Sequence, residues 1–178
     1  ENSEAFGVLI DRYEAKLMRY ILRISGVSPE DAEDICQDVF IKVYRNLRGF
    51  DTSLSFSSWI YRIAHNETRS YFRKHRRRLQ ETYSIDTDEN SYDRLASDLK
   101  TDGLAIERDR YQMLEKALAE LPDSHKEVLI LHFLEEKNYK EISNILKKPM
   151  VSIASHIHIW KAKLKKVLAD RGITPEHI

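Results

Sequence analysis

The sequence concentrates positive charge in two places. From Trp59 to Gln80, seven basic side chains (Arg62, Arg69, Arg73, Lys74, Arg76, Arg77 and Arg78) stand against one acid, Glu67, for a net +6. From Lys147 to Arg171, seven more (Lys147, Lys148, Lys161, Lys163, Lys165, Lys166 and Arg171) stand against Asp170, again +6. Between the patches, residues 81–110 hold four basic and nine acidic side chains, net −5. Residues 1–58 add −3 and residues 111–178 as a whole add +2, so the formal net charge of the 178-residue chain is zero. A charge run is by default a solvated face. Two such runs, on separate segments with an acidic stretch between them, suit two-point contact with a polyanion.

The first patch mixes arginines with Phe56, Trp59, Tyr61 and Tyr71. Aromatic planes stack on unpaired bases at ~1–3 kcal/mol each, while cationic side chains track the backbone. The competing role for such rings is to anchor a core, which is the expectation for Trp59 and Tyr71. Phe56, Tyr61 and Asn66 fit either role. In the second patch, Ser152, Ser155 and His156 can hydrogen-bond to base edges or phosphates, and lysines including Lys161 and Lys163 raise the local potential.

Enzymatic chemistry fits poorly. His156 and His158 are two residues apart and point in different directions on a helix, so they do not share a metal easily. No Gly-rich phosphate loop, Gly-x-Ser-x-Gly or His-Glu-x-x-His is present. Asp34 and Asp38 are one helical turn apart with Gln37 beside them. A polar face for a protein partner fits that trio better than a two-carboxylate site. Cys36 is the single cysteine, which excludes an intramolecular disulfide framework and a multi-cysteine metal site. No metal or other cofactor is implied.

Helices must position these residues, because the apolar periodicity is helical almost throughout. Phe6, Leu9, Ile10, Tyr13, Leu17, Tyr20, Ile21 and Ile24 form one stripe. Gly26-Val27-Ser28-Pro29 breaks it, with Ser28 as N-cap and Pro29 in the first turn of the next helix. That helix aligns Ala32, Ile35, Cys36, Val39, Phe40, Val43 and Leu47, and Gly49 is expected to end it. After a loop over residues 50–57, a third helix is expected from about Ser58 to Arg78. Ile60, Ile63, Ala64, Thr68 and Tyr71 would face inward, and Tyr61, Arg62, His65, Asn66, Arg69 and Arg73 outward or sideways. From Gln80 to Arg108 the apolar pattern fades into an acidic stretch that reads as a flexible linker.

Further stripes follow at Met113–Leu121, Val128–Phe133 and Ile142–Leu146, and a last helix is expected over 151–169. The two short helices around Lys147-Lys148-Pro149-Met150 describe a helix-turn-helix, or equally an ordinary helical hairpin with a lysine-rich face. If the former, Ser152, Ser155, His156 and Ile159 point outward into a major groove. The expected fold is all-α: a helical domain over 1–80, the acidic linker over 81–108 and a helix-turn-helix domain over 109–178. The composition agrees, with 42% hydrophobic and 33% charged residues, 5 Gly and 4 Pro. That excludes a disordered chain and argues against a turn-rich β-sandwich. No apolar run is long enough to span a membrane. Glu1-Asn2-Ser3-Glu4 lacks the basic and apolar regions of a secretory signal, so a cytoplasmic location is the default.

Two longer runs carry a family resemblance. Asp31-Ala-Glu-Asp-Ile-Cys-Gln-Asp-Val-Phe-Ile-Lys-Val-Tyr44 and Phe56-Ser-Ser-Trp-Ile-Tyr-Arg-Ile-Ala-His-Asn66 resemble region 2 of the extracytoplasmic-function sigma factors of bacterial RNA polymerase. Ala119-Glu-Leu-Pro-Asp123 and Tyr139-Lys-Glu-Ile-Ser-Asn-Ile-Leu146 resemble region 4. The resemblance implies a non-enzymatic protein that directs core polymerase to promoters and opens them. It places Asp34, Gln37 and Asp38 at the β′ clamp helices. It places Phe56, Asn66 and Ser70 where a flipped base of the −10 element is captured, with Arg62, Arg69 and Arg73 on the DNA backbone. Leu121, Val128, Leu129 and Phe133 would help form the seat of the β flap tip, and an anti-sigma factor is the implied regulator.

The last helix departs from the family pattern Pro-x-Gly-Thr-Val-Lys/Arg-Ser-Arg-x-x-Arg-Ala. Here Val151 replaces the glycine, and Ala154, His156 and Ile159 replace basic residues, while Ser155 is kept. Recognition of a −35 element would then rest on Ser152, Ser155, His156, His158, Lys161 and Lys163. Two other readings are a helix-turn-helix regulator acting without polymerase, and a sigma-like decoy for an anti-sigma factor.

Overall fold

A computed structural model of the chain describes residues 2–82 and 123–170, with side chains described for residues 4, 6–75 and 125–162. The expected linker from residue 83 on, the stripe at 113–121 and residues 171–178 lie outside the described residues. Every regular element among the described residues is helical.

The N-terminal unit holds three helices: α1 (Asn2–Ser25), α2 (Pro29–Asn46) and α3 (Phe56–Thr82). Gly26 closes α1 in the left-handed region (φ 62), and its N–H donates to the Leu22 carbonyl at 2.9 Å. Glycine takes that conformation without steric cost. Ser28 then caps α2 as expected, its Oγ accepting the Asp31 N–H at 3.1 Å, with Pro29 opening the helix. The stripe Ala32, Ile35, Cys36, Val39, Phe40 and Val43 is buried. Gly49 does not cap α2. The helix stops at Asn46 and tightens into a 3-10 turn over Leu47–Gly49, and a Cβ at Gly49 would meet open space.

The third helix starts two residues earlier than expected and its buried arc is wider. Ser55 caps it, Oγ accepting the Ser58 N–H at 3.3 Å. Ile60, Ala64 and Thr68 are buried, but so are Tyr61 and His65, which were expected outward or sideways. The reason is that α3 packs on both α1 and α2, so two sides of the helix are enclosed. The Tyr61 ring lies 5.1 Å from that of Tyr20 on α1.

To the C-terminal unit belong α4 (Asp123–Leu129), a wide π-helical turn (Ile130–Leu134), α5 (Tyr139–Leu146) through Ser143, and α6 (Met150–Asp170). Val128, Leu129, Ile130 and Leu131 are all buried. Four consecutive residues span more than one stripe of a helix, so this segment is enclosed on more than one side. Asn138 and Glu141 form a reciprocal capping box at the start of α5, each bond 3.0 Å. Lys147 ends α5 in the left-handed conformation (φ 54). The Ser143 hydroxyl donates to the Lys148 carbonyl at 2.7 Å, which fastens the turn between α5 and α6.

Candidate nucleic-acid interface

The loop between α2 and α3 rests on rings. Phe50 and Phe56 lie 5.5 Å apart, Phe50 and Trp59 4.9 Å, and Tyr13 of α1 stands edge-on to Phe56 at 5.5 Å. Asp51 folds the exposed tip: its Oδ1 accepts the Ser53 N–H at 2.9 Å, and that contact holds its carboxyl below the usual range. Phe56 thus supports the loop through its half-buried ring.

Behind this loop an open pocket of about 490 Å³ lies between α2 and α3. Trp59, Arg62, Ile63, Asn66, Glu67 and Ser70 line it from α3, and Lys42, Asn46 and Gly49 from the other side. Residues 59, 62, 63, 66, 67 and 70 follow the three- and four-residue steps of one helical face. Of the six residues expected at −10 DNA, Arg62, Asn66 and Ser70 therefore line one pocket. Arg69 is exposed outside the pocket. Arg73 reaches its rim, donating from Nη2 to the Ser70 Oγ at 2.9 Å. Sequence reasoning missed Lys42, Asn46, Gly49 and Glu67. The available signal was Glu67, a lone acid in a basic run: it is buried and paired with Lys42 of α2.

Also on α2, Asp34, Gln37 and Asp38 are exposed and succeed one another along one ridge with Ile41, which is 46% exposed. Cys36 faces the core, and burial pushes its thiol up to about 12, so it is a packing residue. At the base of α3, Tyr71 hydrogen-bonds to Asp31 and, with the Ser28 hydroxyl and the charge of His75, holds that carboxyl below its usual range.

In the C-terminal unit α5, the turn and α6 form a helix-turn-helix. Ser155 and His158 are exposed on α6, and Ser152 and Lys161 are half-buried; the side chain of Lys163 lies outside the described residues. His156 does not point outward. Its ring packs edge-on to His125 at 4.6 Å, and its buried Nδ1 has no hydrogen-bond partner among the described residues. Val128 and Leu129 are fully buried, so they shape the surface of this unit from within.

Residues 9–78 match the family described as Sigma-70 region 2, and residues 111–164 match Sigma-70, region 4. The chain is 30% identical over 176 residues to the ECF RNA polymerase sigma factor SigW of Bacillus subtilis, covering 95% of this chain and 91% of SigW. The chain belongs to the ECF sigma factors. The RNA polymerase sigma-H factor of Pseudomonas aeruginosa is 26% identical over 170 residues, with 94% of this chain and 88% of that one covered. Among solved structures, the sigma factor RpoE in complex with the anti-sigma factor NepR from Bartonella quintana superposes with a TM-score of 0.70 at 20% identity. That match covers 93% of this chain and 98% of RpoE. As an ECF sigma factor, the protein acts in transcription initiation, with the pocket and loop in its region 2 and the helix-turn-helix in its region 4.

Proposed function

We propose that this sigma factor binds bacterial core RNA polymerase through the α2 ridge, captures one unstacked base of the −10 element in the α2–α3 pocket, and presents α6 to the −35 element. The observation that supports this most is the pocket itself. It brings Arg62, Asn66 and Ser70 onto one face beside the Trp59 ring. Base capture needs a rigid support, a stacking surface and polar groups for the Watson–Crick edge. An arginine at the rim adds backbone contact. Phe56 holds the loop over the pocket, and Arg69 and Arg73 take the phosphates on either side. Asp34, Gln37 and Asp38 dock on the β′ clamp helices, and the region 4 segment up to Phe133 seats the β flap tip. On α6, Ser152, Ser155, His158, Lys161 and Lys163 contact DNA, while His156 braces α6 against α4.

In this reading the protein is cytoplasmic and non-enzymatic, with no cofactor. The structural likeness to RpoE bound to NepR supports an anti-sigma factor as a further partner. The test is transcription reconstituted from the full chain and bacterial core polymerase on a pool of random promoter fragments, with transcript starts sequenced. Discrete starts sharing spaced upstream elements are expected. Asn66→Ala is expected to blur the −10 element while core binding persists. Failure of the full chain to associate with core polymerase would remove this reading.

A further inference from the structure

The outward face of α6 carries two large aliphatic side chains where basic residues are expected for a DNA reader. Val151 is 78% exposed and Ile159 51%. Exposed Ser155 stands midway between them. These residues are four apart, so they lie one above another on a single face. Val151 and Ile159 are therefore ~12 Å apart along the axis, at 1.5 Å per residue. Each of these aliphatic side chains gains free energy when it meets an apolar group that removes it from water.

The surroundings say which partner. Lys147 and Lys148 stand at the N-terminal end of this face and Lys161 at the other, and no acidic residue occurs from Lys147 to Ala169. An apolar stripe edged by cations matches one feature of duplex DNA: a phosphate-walled major groove in which the only apolar groups on the base edges are the C5 methyls of thymine. We propose that Val151 and Ile159 are specificity-determining residues that read thymine methyl groups of the upstream element, with Ser155 hydrogen-bonding to a base edge between them. The inference rests on the reading that α6 enters the major groove. At ~3.4 Å per base pair, the two methyl contacts fall about three to four base pairs apart.

The experiment uses holoenzyme assembled from the full chain and core polymerase. Upstream elements are first selected from random duplexes. Each thymine in the selected element is then replaced by deoxyuridine, which lacks the methyl group but keeps every hydrogen-bonding group. Binding is expected to weaken about fourfold at each of two positions, the worth of one buried methyl. Val151→Ala and Ile159→Ala, at exposed helical sites that tolerate alanine, should each shrink the thymine-over-uracil preference at one of those positions.

A selected element whose affinity is unchanged by deoxyuridine at every position overturns the inference and leaves the −35 reading standing. Alanine variants that weaken thymine and uracil templates equally also overturn it. So does a loss that emerges only with a protein partner present, which would make the stripe a protein contact. If core binding and the −10 element persist but no upstream element is selected, the −35 reading falls and takes the inference with it.

Discussion

Glu67 is the residue on which the pocket's electrostatics turn. It is the only acid between Trp59 and Gln80, it is buried, and it lines a cavity proposed to hold nucleic acid. Its pairing with Lys42 neutralises it and ties α2 to α3 at the same point. Lys42→Met would leave the carboxylate poorly solvated and unpaired, at a cost of about 1–3 kcal/mol. Glu67→Gln in the same chain should recover much of that loss. Thermal unfolding of the two single variants and the double variant reads the coupling directly. Promoter opening should fall in the Lys42 variant by more than stability alone explains, because an uncompensated negative charge then faces the DNA. Cys36 gives a second expectation at this scale. A thiol pushed up to about 12 has almost no thiolate near neutral pH and sits in the core, so its labelling by a thiol reagent should track unfolding. Labelling as fast as that of a free thiol would contradict its packing role.

At the level of elements, the junction of α2 with α3 carries a pH signature. The Ser28 hydroxyl donates to Asp31 Oδ2 at 2.7 Å while its oxygen accepts the Asp31 N–H, and Tyr71 adds a hydrogen bond from α3. Together they lower the Asp31 carboxyl below its ordinary value. A carboxylate lowered on folding stabilises fully above its unfolded value, ~3.9, and loses that contribution as the pH falls through the lower folded value. The melting temperature of Asp31→Asn should therefore lie below that of the wild type at neutral pH, and the two should converge as the pH drops below about 4. A gap that stays constant with pH would assign the loss to the cap geometry instead. Ser28→Ala should cost ~1 kcal/mol, as N-cap losses do. Much at this scale was legible in the sequence: the Ser28-Pro29 start and the α2 stripe are local patterns. What escaped was set by neighbours. A single-stripe reading cannot foresee that α3 is enclosed on two sides, which buries Tyr61 and His65. Nor can it foresee that His156 turns to a ring on another helix. Three pocket residues, Arg62, Asn66 and Ser70, came from the family resemblance carried by the run Phe56–Asn66 and its continuation. Lys42, Asn46 and Gly49 were hidden because the tertiary contact that brings them there leaves no local pattern.

For the whole molecule, the distribution of charge matters more than its sum. A chain with no net charge has little long-range pull toward DNA, yet it places +6 in region 2 and +6 at the end of region 4. Each patch is short, so either one alone neutralises few phosphates. The free protein should bind duplex DNA weakly, and promoter affinity should arise when polymerase holds both regions on one template, in the manner of linked sites. Salt tests this division of labour. Each phosphate contact contributes about −0.9 to the slope of log K against log salt concentration on duplex DNA. Replacing Arg69 and Arg73 together by glutamine should flatten the holoenzyme's slope by about 2 or less and reduce promoter opening, while core binding stays intact. Replacing Asp34 and Asp38 by alanine should do the reverse, weakening association with core polymerase while leaving the salt slope of whatever holoenzyme forms unchanged. Competition for core polymerase and open-complex yield across a salt series measure both arms. If the arginine variants lost core binding, or the aspartate variants flattened the salt slope, the α2 ridge and the α3 patch would have to exchange roles.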